Sequence, residues 1–263
     1  MSQRQPSLYI PHGGGPCFFM DDPAGLWTRM AAFLRGLPGL LPERPKAILI
    51  VSGHWETDGF RFTAATRPSL IFDYSGFPPH TYELRYDVPG DPALAERAAG
   101  LLRAGGYDSA IDPDRGLDHG VFVPLKVAFP EADVPVVEMS LDLRLDPVLA
   151  YRAGRALRPL RDEGVLILGA GMSFHNLSAY RRAEAAEPSL VFDDWLSAVV
   201  EGAPADREAG LGGWANAPAA RLAHPREEHL LPLMVAAGAS DGPGQRVYGD
   251  MVADTMISGF RFD

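Results

Sequence analysis

The chain has 263 residues, 46% apolar and 22% charged, the composition of an ordinary globular protein and enough for one α/β domain with a substantial core. A net charge of −10 without a basic cluster argues against nucleic acid or an anionic membrane as partner and suits action on small molecules. Cys17 is the only cysteine, which excludes an intramolecular disulfide and a cysteine-based zinc site; no run approaches the roughly 18 apolar residues of a membrane span, the start carries no secretory leader, and the chain reads as cytoplasmic.

Leu8-Tyr9-Ile10 reads as a short strand running into Pro11-His12-Gly13-Gly14-Gly15-Pro16. Three successive glycines permit left-handed backbone and close approach by a ligand. The Lys-Ser/Thr pair of a phosphate loop does not follow. From Ala24 to Leu37 a helical face carries Leu26, Trp27, Met30, Phe33 and Leu34. After the loop Pro38 to Pro45 comes Ala47-Ile48-Leu49-Ile50-Val51, an apolar, β-branched run with the signature of a strand buried on both faces. It stops at Ser52-Gly53 and delivers His54 where open α/β sheets place their sites, just past the carboxyl end of a strand. Phe60 to Thr66 alternates weakly, as a further strand would. Residues 71–90 form a long insertion, too aromatic for a solvated linker, and loops of that length commonly serve as lids or substrate walls. His80 within it has no motif around it and reads as structural or exposed.

Asp91 at the N-cap and Pro92 at the first helical position open a helix to about Ala104, ended by Gly105-Gly106. Leu117-Asp118-His119-Gly120 places a histidine between an acid and a glycine in an expected tight turn. Val134 to Leu141 reads as a strand, and Asp146-Pro147 starts a helix expected to last until Glu163-Gly164. Val165-Leu166-Ile167-Leu168 is another buried strand, running into Gly169 and on to His175. Ala179 to Leu222 reads as helical and loop-like, with Trp195 and Trp214 as packing anchors. Pro225 is expected at the first position of a helix, with Glu227 and Glu228 at its positive end and His229 near its first turn. Val247 to Phe262 reads as strands separated by turn residues. Without repeats or linkers, the expected fold is a single α/β domain with a central, mostly parallel or mixed sheet flanked by helices.

The chain has seven histidines. His12, His54, His119 and His175 follow glycine-bearing strand ends or turns, and His229 sits at a helix start. Any one of them is more often structural than functional; their recurrence at one edge of the predicted sheet points to a shared metal. Neutral imidazole suits Fe, Zn, Cu and Ni. A histidine-rich site with open positions favours a catalytic metal over a structural one. A serine hydrolase is disfavoured because no Gly-x-Ser-x-Gly elbow is present. Cys17, near His12 but without other marks of a thiol nucleophile, reads as a small buried hydrophobe.

At these residues the sequence resembles the class III extradiol ring-cleavage dioxygenases, the LigB-like superfamily, and within it the DOPA 4,5-dioxygenase-like branch. The resemblance covers nearly the whole chain. It is carried by Pro11-His12-Gly13-Gly14-Gly15-Pro16, Ser52-Gly53-His54-Trp55, Leu117-Asp118-His119-Gly120, Ser173-Phe174-His175-Asn176-Leu177 and Glu228-His229-Leu230-Leu231-Pro232-Leu233. Phe72-Asp73-Tyr74-Ser75-Gly76-Phe77-Pro78 also resembles the family's substrate-side loop. The resemblance implies one catalytic domain over residues 1–263 that opens the ring of a catechol beside its diol, with O2 as co-substrate. It implies His12, His54 and His229 as metal ligands and His175 as the acid–base histidine, a further ligand when substrate is absent. It implies His119 as a second catalytic histidine near substrate or oxygen. Tyr74, Phe77 and Tyr82 are expected to wall the ring. Some branches complete the metal site with a glutamate; here the matching position is His229, with Glu228 beside it. An all-imidazole set suits Fe(II), the expected metal for activity, and also Zn(II). Two other readings use the same residues: a zinc-dependent hydrolase with Glu228 or His175 as base, and a non-enzymatic, Memo-like binding scaffold, against which the intact histidine set weighs. No oligomeric state follows from the sequence.

Overall fold

The strongest strand signal in the sequence becomes the middle of the sheet. The computed structural model describes residues 3–263. Its strands are β1 (Ser7–Pro11), β2 (Ala47–Thr57), β3 (Phe60–Thr63), β4 (Ser109–Asp112), β5 (Val136–Asp142), β6 (Val165–Gly171), β7 (Gly244–Val252) and β8 (Thr255–Phe262). They form one mixed sheet in the order β4-β3-β5-β2-β6-β1-β8-β7. The inner strands β5, β2, β6 and β1 are mutually parallel, so their carboxyl ends share one edge. The hairpin β7–β8 closes one side antiparallel to β1.

The helices are α1 (Thr28–Gly36), α2 (Pro92–Ala104), α3 (His119–Ala128), α4 (Pro147–Leu157), α5 (Pro159–Asp162), α6 (Ala186–Glu201), α7 (Pro204–Gly212), α8 (Ala220–Ala223) and α9 (Leu231–Gly238). Side chains alternate across a strand, and the buried β2 run divides accordingly. Leu49 and Val51 face a core with α2, α4, α6 and α9, while Ile48 and Ile50 face one with α3. Both faces are covered by helices, which is why the run is apolar throughout instead of alternating.

The expected helix starts at Asp91-Pro92 and Asp146-Pro147 are present, each Asp side chain accepting from first-turn amides. Pro159 divides the stretch expected to be one helix into α4 and α5. Two further expectations are corrected. The helix expected from Pro225 begins instead at Leu231, with Pro232 in its first turn. The His229 carbonyl, which a helix from Pro225 would use internally, accepts from the Tyr9 hydroxyl at 2.8 Å and the Met172 amide at 3.2 Å, tying the preceding turn to β1 and the end of β6. His119, expected in a tight turn, is the first residue of α3, a helix disguised in the sequence by Pro124 inside it.

Candidate active site

Three of the four inner strands, β1, β2 and β6, each deliver a side chain to the shared edge. His12 follows β1, His54 lies in the last part of β2, and His175 follows β6. The β2–β5 register shifts between Val51 and Glu56, an irregularity of the kind that re-aims a side chain at a sheet edge. The turn before α9 adds His229, and the start of α3 adds His119. Glycines at the strand ends make room for that turn. A Cβ on Gly53 would stand 2.8 Å from the Glu228 carbonyl, and one on Gly171 would overlap the His229 carbonyl.

The candidate ligand nitrogens of His12, His54 and His229 lie within 4.8 Å of one another. The Nε2 atoms of His54 and His229 face each other at 3.1 Å. Every Nδ1 in this trio looks away from the common point toward an oxygen: His12 toward the Gly13 carbonyl at 2.8 Å, His229 toward Glu228 Oε1 at 3.0 Å, His54 toward Asp73 Oδ2 at 3.6 Å. A proton on Nδ1 that donates outward leaves an Nε2 lone pair directed inward, the tautomer of a metal-bound imidazole. Buried His12 Nε2 has no hydrogen-bond partner among the described residues. Converging lone pairs repel unless a cation lies among them, so the three residues fit a single metal ion. Burial, reinforced by the neighbouring imidazoles, holds His12 well below the usual histidine range and brings His54 to about 4. Burial also holds His229 well below that range, against the opposing pull of Glu228. The trio is therefore neutral and ligand-competent at physiological pH.

Two carboxylates each serve two imidazoles. Asp73 Oδ1 accepts from the His119 amide at 3.0 Å and from His119 Nδ1 at 2.8 Å, while its other oxygen faces His54. Glu228 Oε1 faces both His229 Nδ1 and, at 3.4 Å, His175 Nδ1. The His175 and His229 rings stack at 3.5 Å between centroids. Burial pushes both carboxyls up, but the bonds to His119 outweigh it at Asp73 and those to His175 and His229 outweigh it at Glu228, so both lie below the usual carboxylate range. Sequence reasoning assigned Asp73 no role and noted Glu228 mainly as a neighbour. The available signal was an acid between Phe72 and Tyr74, in a stretch too apolar to leave a carboxylate unpaired.

All five histidines line a cavity of about 670 Å³. Its walls are mostly apolar, with Trp27, Tyr74, Phe77 and Met172 among them. Tyr74 donates to the Thr81 carbonyl at 2.6 Å, and its ring meets that of His119 edge-on at 5.7 Å. Tyr82, expected beside Tyr74 and Phe77 on the wall, is not a lining residue. It packs behind Tyr74 with centroids 5.3 Å apart, and its hydroxyl accepts from the Phe77 amide. A bond from its hydroxyl to the 74–77 turn directs the ring away from the cavity. His80 is exposed, its Nε2 3.0 Å from the Phe19 carbonyl. Cys17 is buried with its thiol pushed up to about 12, the opposite of an activated nucleophile.

Residues 8–259 match the family described as the catalytic LigB subunit of aromatic ring-opening dioxygenase. The chain is 41% identical over 253 residues to Dioxygenase tasH of Hapsidospora irregularis, covering 89% of this chain and 78% of that one. It is 39% identical over 261 residues to the 4,5-DOPA dioxygenase extradiol of Portulaca grandiflora, covering 96% and 92%. Among solved structures, an uncharacterized protein of Escherichia coli K12 is similar with a TM-score of 0.78 at 26% identity, covering 99% of this chain and all of that one. Fold, histidine pocket and relatives together define an aromatic ring-opening dioxygenase of the extradiol type. The chain belongs to the LigB family, the one its motifs resemble.

Proposed function

We propose that the protein opens the ring of a catechol with O2, holding one catalytic Fe(II) on His12, His54 and His229 and using His175 as the acid–base group. The observation that carries this reading is the set of three imidazoles whose Nδ1 atoms all face acceptors outward while one ligand nitrogen from each lies within 4.8 Å of the others, the Nε2 atoms of His54 and His229 3.1 Å apart. A metal held by His12, His54 and His229 would supply Lewis acidity that lowers the diol's pKa and, as Fe(II), a redox centre for the reaction with O2.

The chain's own residues supply the rest. The apolar cavity takes the aromatic ring against Tyr74 and Phe77 and excludes bulk water. Glu228 holds the Nδ1 side of His175, so its Nε2 is the free acceptor for the second phenolic proton. Asp73 does the same for His119, leaving its Nε2 to hold the reacting oxygen or return a proton. Both atoms of O2 end in the product, and the carbon–carbon bond beside the diol breaks to leave a ring-opened semialdehyde. The catechol in the name of the Portulaca grandiflora relative, DOPA, is the first to test. The cytoplasm is the proposed place of action, a reducing compartment suited to Fe(II) and to the single thiol of Cys17.

The test is anaerobic loading with Fe(II) or Zn(II), followed by oxygen-uptake measurements with a panel of catechols. Oxygen consumption equal to catechol loss, with a yellow product, is expected for Fe(II) and not for Zn(II). Catechol loss without oxygen uptake would overturn the proposal. His175→Ala is expected to lower turnover on the order of 10²-fold or more, the scale of a lost general base.

A further inference from the structure

The cavity that holds the five imidazoles has one fixed positive charge on its wall, Arg181. Among the described residues its guanidinium has neither an ion-pair nor a hydrogen-bond partner. Other arginines near the site are engaged, Arg226 with Glu56 at 2.5 Å and Arg115 with Asp118 at 3.3 Å. An unpaired arginine at the wall of an apolar cavity is a recognition element suited to an anion.

The backbone supports a placed residue. Arg181 has φ of 61°, the left-handed region that non-glycine residues enter at a cost. Its amide donates to the Ala253 carbonyl at 2.8 Å. Ala253 and Asp254 are themselves left-handed, at 51° and 64°, in the turn between β7 and β8, and Ala253 also lines the cavity. The same short segment carries His175. It is braced by the His175 amide on the Ala223 carbonyl at 2.9 Å, by Asn176 Nδ2 on the Leu222 carbonyl at 2.8 Å, and by the Tyr180 hydroxyl on the Phe174 carbonyl at 2.7 Å. The proposed base and the unpaired cation are thus presented to one cavity from one braced segment.

We propose that Arg181 is an anion subsite: it receives a carboxylate borne on the catechol's side chain while the diol lies at the imidazole end. This rests on the ring-cleavage reading. A protein of net charge −10 repels anions at long range, so an anionic substrate needs such a local cation. Asp22, on the same wall, is already engaged by the Leu26 and Trp27 amides at 2.8 Å each, whereas Asp21 is exposed and opposes an anion. Selection of an uncharged side chain, with Asp21 dominating the mouth, is therefore the competing outcome.

Hydrocaffeate and its methyl ester share ring and chain and differ in charge. Their dissociation constants are measured by calorimetry on the Fe(II)-loaded protein without O2, and their KM values in air. The wild-type protein is expected to favour the acid, and Arg181→Gln to reduce the acid-to-ester preference about fivefold to tenfold, the scale of a solvent-accessible charge-assisted pair. Arg181→Lys should retain most of the preference and Arg181→Glu should invert it. The exposed guanidinium has no partner among the described residues, so these variants are expected to unfold at the wild-type temperature, which a thermal melt checks. An acid-to-ester ratio equal in the wild-type protein and Arg181→Gln, or a wild-type preference for the ester, overturns the subsite while leaving ring cleavage standing. Failure of the wild-type protein to bind or turn over either compound overturns both.

Discussion

Asp73 shows how one side chain can set the chemistry of two others. With its carboxylate facing both His54 Nδ1 and His119 Nδ1, each ring keeps its proton on the outer nitrogen. In Asp73→Asn one of the two imidazoles meets an NH2 donor instead of an acceptor. If that ring is His54, its proton moves to Nε2 and blocks the ligand position. Metal affinity, measured by competition with a chelator, is expected to fall about 10- to 100-fold, as is usual when a ligand's orienting partner is lost. An unchanged affinity would exclude this role. The same residues dictate a pH dependence. Half-buried His54 is lowered by burial to about 4, below the ordinary histidine value of 6.5, and buried His12 and His229 are also depressed. Between those limits the unfolded chain binds protons that the folded chain refuses. The histidines should therefore leave the melting temperature of the metal-free protein unchanged between about pH 7 and 8 and lower it as pH falls from about 6.5 toward 4, with Asp73 and Glu228 adding losses at still lower pH. A melting temperature independent of pH over that window would contradict the burial argument. His12, His54, His119 and His175 were visible in the sequence beside glycine-bearing strand ends or turns, and His229 only through a helix start that the fold places further on; Asp73 was not, because its meaning lies in partners far along the chain.

Among the elements, the turn before α9 is the one on which the site's geometry turns. Its His229 carbonyl is held by Tyr9 and Met172, and it can lie against the sheet because β6 ends in Gly171. Gly171→Ala would drive a Cβ into that carbonyl. Overpacking of this kind costs about 1–3 kcal/mol, and here it also shifts a proposed ligand, so both unfolding temperature and metal affinity are expected to fall. Gly36 is the control. It closes α1 in right-handed helical backbone with nothing near its missing Cβ, so Gly36→Ala should be stabilising by about 0.5–1 kcal/mol in denaturant melts. Equal effects at the two positions would mean that close approach is not what Gly171 provides. Elements whose signals are local were legible: the β2 run, and the Asp-Pro starts of α2 and α4. Of the boundaries that failed, the α4–α5 break follows a local proline, Pro159, while the start of α9 was decided by distant partners. Pro225 carries a valid start signal, yet the carbonyl a helix would have used there is taken by β1 and the end of β6.

At the scale of the whole molecule, the sheet order is what makes a site out of scattered motifs. The class of fold was readable, because buried parallel strands leave continuous apolar runs. The order was not, since β1 inserts between β6 and β8, strands from the other end of the chain. That insertion gives the metal a structural consequence. Its proposed ligands come from β1, from β2 and from the turn before α9, so one ion would cross-link the first strand to the last third of the sequence. Binding to the folded state alone stabilises it by about 2.7 kcal/mol when the free metal is at 100 times its dissociation constant. For a chain of this size that is a rise in melting temperature of roughly 5–10 °C. Titrating Zn(II) or anaerobic Fe(II) into the metal-free protein during thermal unfolding should produce this rise. His54→Ala should abolish it. His80→Ala, altering an exposed imidazole that does not line the cavity, should leave it intact. If His54→Ala keeps the full metal-dependent rise, the ion binds somewhere other than the carboxyl edge of the sheet.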